Sequence, residues 1–515
     1  MIAERRVPRR RLAVIASVGG AIALVFGGNL RSQGVGPAVL DPNLAVDTVV
    51  TGLSQPTSMA FIGRNDILVL EKASGMVRRI INRILQPAPV LDLAVNFGSE
   101  RGLLGIALHP DFPRNPGVYL YWTESTATSN GVPIDTNDLA STPLLGNRVD
   151  RFIWNGSTLT FDRNLIRLHA FQADAGQPLR GNHNGGVIRF EGVAERGDDD
   201  ADGDVDSNEG DEDGRKARLF IIIGDNGRRG QMQNLPDGPF GPGIPDDQFG
   251  GPAPDNAHLT GVVLRLNDDG STPRDNPFFG VGQRMGGEVG ANIQKVFAYG
   301  VRNSFGLAVD PRTGDLWNEE NGDDSFDELN RITPGQNNGW VQIMGPVNRI
   351  SQFKEIETSA AFFGLQQIRW PPTNIANSPA EALARLFMLP RSHYRDPLFS
   401  WKFAVAPAAI GFLNSRALGS QYEGDLFVGA ARPTLDGGYL MRFTLAGDRR
   451  RFEFTDPRLA DRVADNNAKF DATESETLRF GTGFGVGTDI QTGPNGNLFV
   501  VSLSNGAIYE IHRVR

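Results

Sequence analysis

The chain reads as an all-β protein, a six-bladed β-propeller with long inter-strand insertions. Three observations predict this: a strand–turn–strand phrase that recurs along the chain, a high content of turn formers, and no linker midway. In the phrase, an apolar strand follows a Pro or Gly, a polar turn leads to a second strand ending in small or acidic residues, and a third strand follows. The first copy runs through Pro56–Phe61, Asp66–Glu71 and Gly75–Ile80. The last runs through Thr488–Ile490, Asn497–Val501 and Gly506–Ile511. Between them lie Gly186–Phe190 with Leu219–Ile223, Phe305–Val309 with Asp315–Trp317, and Ala409–Phe412 with Asp425–Val428. Short β-rich runs bounded by Gly, Asn, Asp and Pro are strands joined by tight turns. Several similar sheets that cannot each bury both faces alone imply radial packing rather than a pair of sandwiches.

Composition agrees. Gly 62 and Pro 32 among 515 residues favour turns over helices. Six blades give roughly 75–80 residues each, more than the usual ~40–50. The excess falls in insertions at about Ser125–Gly146, Gly192–Arg218, Asn234–His258 and Asn348–Arg391. A net charge of −9 argues against nucleic acid or an anionic membrane surface as partner. With Cys 0, disulfides, thiolate catalysis and cysteine–metal sites are excluded.

Residues 1–39 are expected to be an export signal or membrane anchor with its linker, and 40–515 the propeller. Arg5, Arg6, Arg9, Arg10 and Arg11 precede the uncharged run Leu12–Gly28. A basic segment before an apolar one is the pattern of an export signal. The run is 17 residues long, the lower edge for a spanning helix. The protein is therefore expected outside the cytoplasm, in the periplasm or medium, or anchored to the outer face of the membrane.

The sharpest local motif is acidic. Asp198, Asp200 and Asp202 stand at positions 1, 3 and 5 of a loop, with Gly203 at 6, Asp204 at 7, Val205 at 8, Asp206 at 9 and Glu209 at 12. That is the EF-hand order of oxygen ligands, placed here between strands instead of helices. The expected occupant is Ca²⁺ in a structural role. Among six histidines, His183 is distinctive because it precedes a strand, within Gly181-Asn182-His183-Asn184-Gly185-Gly186. A propeller presents side chains at its mouth from such turns, and an imidazole there can act as a general base. Arg302 and Asn303 occupy a similar turn, shortly before Glu319 to Asp324 and Asp327-Glu328-Leu329-Asn330.

Together these phrases resemble the glucose/sorbosone dehydrogenase family, soluble quinoproteins that use pyrroloquinoline quinone (PQQ). Ser99 to Phe112, His183 to Gly186, Ile223-Gly224-Asp225, Arg302-Asn303, Asp327 to Asn330 and Asn338-Gly339-Trp340 carry the likeness, in the family's order over about residues 50–515. The resemblance implies six blades with PQQ in a basic cleft on the top face. His183 falls on the base for the sugar's anomeric hydroxyl, and Arg302 on the arginine that stabilises charge on the quinone oxygen. Asn303 falls on a cofactor contact and Glu100 on a polar position on the substrate side. Gly322 falls on a carbonyl ligand of the calcium ion that polarises PQQ. Asp323 replaces the proline usual beside it, and Arg432 replaces a lysine that pairs with PQQ. Val486 and Thr488 stand where two arginines hold the PQQ carboxylates, with Lys402 and Arg479 as the other cations of that region.

The expected function is calcium- and PQQ-dependent oxidation of an aldose sugar at its anomeric carbon to the lactone, with electrons passed to an external acceptor. One alternative is a non-catalytic, calcium-stabilised propeller that binds a glycan or a protein. Another is a calcium-dependent propeller hydrolase acting on a lactone.

Overall fold

The computed structural model describes residues 36–125, 145–170, 181–192, 216–227, 231–234, 259–362 and 375–514. The segment expected to be an export signal or anchor, up to residue 35, and the acidic loop from Asp198 to Glu209 lie outside the described residues. No helix among those described is long and apolar enough to cross a membrane.

The described strands form six sheets, each with an antiparallel core. In chain order their first strands are Pro56–Gly63, Leu103–Leu108, Ile188–Phe190, Leu307–Val309, Pro407–Phe412 and Gly487–Thr492. Each first strand pairs with the next in sequence, as Pro56–Gly63 does with Asp66–Glu71 and Gly487–Thr492 with Leu498–Ser502. The last sheet takes its outer strand from the start of the chain, Leu44–Val50, which pairs with Ala507–Arg513. Ala38–Val39 pairs with Arg479–Thr482 in the fifth sheet, so sheet structure begins just before residue 40.

The apolar pattern explains how the sheets stack. In Leu219–Ile223 every side chain is buried, on both faces of the strand. Such runs suit a sheet covered on two sides. Each main apolar cluster bridges two successive sheets. Leu68 and Val77 of the first meet Ile106 and Leu120 of the second. Tyr121 and Val149 of the second meet Ile221 and Leu264 of the third. Phe220 and Val263 meet Leu307 and Leu316 of the fourth. Trp317 and Trp401 meet Val428 and Phe443 of the fifth, and Phe427 and Leu440 meet Ile490 and Val500 of the sixth. Phe499 and Val501 return to Met59 and Val69 of the first.

Polar contacts repeat that closure, for Asp489 Oδ2 accepts from Ser58 Oγ at 2.8 Å and from Met59 N at 3.0 Å. The arrangement is an all-β propeller. Its short helices, including Phe279–Met285, Ile350–Glu357 and Pro379–Ala384, sit in connections rather than in the sheets.

Topology decides where side chains gather. The loop entering a first strand and the loop joining the second strand to the third open at the same end of an antiparallel sheet. Glu100, His183, Arg302 and Thr488 lie at or just before first strands. Lys72, Asp225, the Asn321–Asp324 turn and Arg432 follow second strands. All therefore collect at one end.

Candidate functional site

The site is built around a histidine–carboxylate pair. His183 sits in a tight turn at φ +57°, and its Nδ1 lies 2.6 Å from Asp225 Oδ1. Both residues are buried. Asp225 is held from three further directions. Trp340 Nε1 donates to its Oδ2 at 2.9 Å, Gly227 N donates to its Oδ1 at 2.7 Å, and its own N–H donates to the Arg302 carbonyl at 2.8 Å. A carboxylate so placed fixes the imidazole tautomer with the proton on Nδ1, which leaves the Nε2 lone pair as acceptor. Glu100 Oε2 accepts from His183 N at 2.7 Å and from Asn303 Nδ2 at 3.2 Å.

Glycine makes this convergence feasible. A Cβ on Gly224 would lie 2.6 Å from both the His183 and the Arg302 carbonyl oxygens. Only a residue without a side chain lets those two loops meet there.

Arg302 is wholly buried. Its NH1 donates to the Asn321 carbonyl at 2.8 Å and its NH2 to Asp323 Oδ1 at 2.9 Å. Its guanidinium carbon lies 5.4 Å from the centroid of the Trp340 ring, so one indole touches both Arg302 and Asp225. Arg302 Nε and Asn303 Oδ1 are buried polar atoms without a hydrogen-bond partner among the described residues. Beneath them runs a row of buried acids. Glu320 Oε1 accepts from Arg302 N at 2.6 Å, and Asn338 Nδ2 donates to Glu320 Oε2 at 3.0 Å. Burial pushes the Glu320 carboxyl up to about 7 against those bonds, and burial raises Glu319 and Glu328 well above the usual range.

Gly322 N donates to Asp327 Oδ1 at 2.8 Å, which sets the turn holding Asp323. Burial, then the nearby Asp323 and Asp324 charges, raises Glu357 to about 8. At the edge of the site, Lys72 Nζ donates to the Phe97 and Ser99 carbonyls, each at 2.9 Å, and so ties down the loop that carries Glu100. Burial lowers this ammonium to about 7, the Arg101 charge adding to the effect.

The structure thus brings His183, Arg302, Asn303, Glu100 and Asp323 into one network, with Gly322 in the adjoining turn. Arg432 stands apart from it. Its guanidinium lies 5.2 Å from the Phe470 centroid, and Lys469 lies 5.8 Å from the same ring. Lys469 in turn pairs with Asp324. Arg432 has no acidic partner among the described residues, and burial lowers its pKa.

Val486 is buried, and Thr488 Oγ1 donates to the Pro56 carbonyl at 3.0 Å. Arg479 is bound to Asp436 at 2.7 Å, so it does not stand in for a cation at Val486 or Thr488. Sequence reasoning does not assign Asp225, Trp340, Glu320 or Glu357. Asp225 and Trp340 lie inside motifs that carry the family likeness, yet their pairing spans 115 positions.

A propeller with a buried His–Asp pair, a sandwiched arginine and a row of carboxylates at one end defines the class. Residues 53–191 and 214–381, more than half of the chain, match the Glucose / Sorbosone dehydrogenase family. This chain belongs to that family. Over 318 residues, covering 59% of this chain and 53% of the relative, it is 26% identical to quinoprotein glucose dehydrogenase B of Acinetobacter calcoaceticus. Over 388 residues, 75% of this chain and 78% of the relative, it is 24% identical to an aldose sugar dehydrogenase of Escherichia coli. An oxidoreductase of Thermus thermophilus, described as a glucose dehydrogenase, superposes with a TM-score of 0.55 at 25% identity, covering 91% of this chain and 99% of that one.

Proposed function

We propose that this chain is a calcium- and PQQ-dependent sugar dehydrogenase that oxidises an aldose at its anomeric carbon to the lactone and passes the electrons to an external acceptor. In this reading each of the six sheets is one blade. The observation that carries it is the His183–Asp225 pair, 2.6 Å long, in one network with Arg302 and Glu100. The residues fit the cofactor at its reacting end. Arg302 Nε and Asn303 Oδ1 are unsatisfied polar atoms in the buried network, and Arg432 offers an uncompensated cation farther out.

PQQ, when bound, supplies a two-electron acceptor for the hydride leaving the sugar's anomeric carbon. His183 Nε2 takes the proton of the anomeric hydroxyl, and Asp225 stabilises the imidazolium that results. Arg302 supplies positive charge where negative charge develops. Glu100 orients the His183 backbone and Asn303, and offers its carboxylate to sugar hydroxyls. The Gly322 and Asp323 backbone carbonyls would hold the calcium ion that polarises the cofactor. The Asp198–Glu209 loop, through Asp198, Asp200, Asp202, Asp204, Asp206 and Glu209, would hold a second, structural calcium. Export rests on the arginine-rich N-terminus, and fractionation of the host should recover the protein outside the cytoplasm.

With PQQ and Ca²⁺ supplied, dye reduction with a panel of aldoses tests the catalytic reading. His183→Ala and Arg302→Ala should each lower turnover by about 10²-fold or more while sparing the fold, as for loss of a general base or of a charge stabiliser. If no aldose drives dye reduction at saturating PQQ and calcium, the chain is instead a non-catalytic, calcium-stabilised propeller that binds a glycan or protein partner. The uncharged Val486 and Thr488 favour that second reading.

A further inference from the structure

Three carboxylates meet at the edge of the His183–Asp225 network, and one of them, Asp323, is tied to it through Arg302. Asp323 and Asp324 occupy the turn between Leu316–Glu320 and Ser325–Ile332, and Glu357 ends the helix Ile350–Glu357. One oxygen from each lies within 4.8 Å of the others, and all three residues are buried. Glu357 Oε1 accepts from Asp324 N at 3.2 Å and from Ser325 Oγ at 2.7 Å, which locks the helix end onto the turn. Glu357 Oε2 and Asp324 Oδ2 accept no hydrogen bond among the described residues, although Glu357 is 0% exposed and Asp324 4%. Native structures seldom leave buried carboxylate oxygens without a donor, and an unseen ion is one of the few explanations.

The charge count points the same way. Arg302 pairs with Asp323 and Lys469 with Asp324, whereas no described cation pairs with Glu357. Two cations thus face three carboxyl groups. An all-oxygen donor set selects hard cations. Calcium bonds such oxygens at about 2.3–2.6 Å, so ligands on opposite sides of one ion stand about 4.6–5.2 Å apart, a span that covers this cluster. Magnesium keeps several waters and suits a tightly buried carboxylate cage less well.

We propose that Asp323, Asp324 and Glu357 form a side-chain site for a hard divalent cation, calcium by preference, which clamps the helix Ile350–Glu357 to the turn that holds Arg302. The site stands whether or not the chain oxidises sugars, because its ligands are side chains and need no cofactor.

The test is calorimetric titration of Ca²⁺ into chelator-stripped protein without PQQ, in an Asp200→Ala/Asp202→Ala background that silences the acidic loop. Without PQQ to complete the carbonyl site at Gly322–Asp323, one remaining site is expected. Its affinity should fall about tenfold or more in Glu357→Gln and in Asp324→Asn, since affinity follows the count of charged ligands. The rise in melting temperature on adding calcium should disappear with it. Circular dichroism checks that each variant is folded, and the two variants sit on different elements, so at least one is informative. Lys469→Met should tighten binding by removing a competing cation. If the background protein takes up no calcium, or if Glu357→Gln and Asp324→Asn bind it as the background does, the proposal is wrong.

Discussion

His183 depends on Asp225 for its tautomer, and Asp225 depends on Trp340 and two backbone N–H groups for its position. A base at a propeller mouth therefore rests on contacts drawn from three separate loops. Lys72 shows the same dependence at the rim, because its ammonium holds the carbonyls that flank Glu100. Its pKa in the folded protein is about 7 against an ordinary 10.5. Between those values the unfolded chain binds a proton that the native chain does not, so this group makes stability rise with pH. Denaturation midpoints should therefore climb between about pH 8 and pH 10, and Lys72→Met should remove that climb whatever its effect on absolute stability. An unchanged slope in the variant would show that Lys72 is not the group responsible.

At the scale of elements, the loops between sheets matter more than the sheets. Gly224 closes the strand Arg218–Ile223 and lets the His183 and Arg302 loops meet. Gly224→Ala should cost about 1–3 kcal/mol, the usual range for overpacking, and should lower turnover by parting the base from the arginine. Chemical denaturation and steady-state rates check both, and wild-type stability in the variant would contradict the packing argument.

The strands themselves were legible in the sequence. Asp66–Ile67–Leu68–Val69–Leu70–Glu71 and Asn497 to Val501 are apolar runs between turn formers, and they fold as Asp66–Glu71 and Leu498–Ser502. The second sheet did not announce itself as a copy of the phrase. Its outer strands, Leu145–Trp154 and Leu159–His169, are long, polar on one face and separated from the inner pair by an insertion. Of the site, His183, Arg302 and Asn303 could be found because each stands in a polar turn next to an apolar strand, and Glu100 was reached through the family resemblance alone. Glu357 could not, since it ends a short helix inside the expected Asn348–Arg391 insertion and meets Asp324 only in three dimensions.

For the whole molecule, ring closure joins the two ends of the chain and sets the geometry of the mouth. Ser58, Met59 and Gln491 all bond Asp489 Oδ2, and Arg189 NH2 reaches Asp489 Oδ1 at 2.8 Å. This anchors the strand that carries Thr488, yet it leaves no cation at Val486 or Thr488 for an anionic cofactor. A charge-assisted contact contributes roughly 1.5–3 kcal/mol. Lacking two of them should weaken binding by on the order of 10²–10⁴ relative to an arginine-bearing relative. Absorbance titration of calcium-replete apoprotein with PQQ shows directly whether this mouth holds the cofactor. If PQQ binds there, a saturable bound-quinone signal is expected, with affinity that weakens in Arg432→Ala and Arg302→Ala and tightens markedly in Val486→Arg/Thr488→Arg. No bound-quinone signal at any PQQ concentration, in the wild type or in the arginine-restored variant, would contradict PQQ binding there.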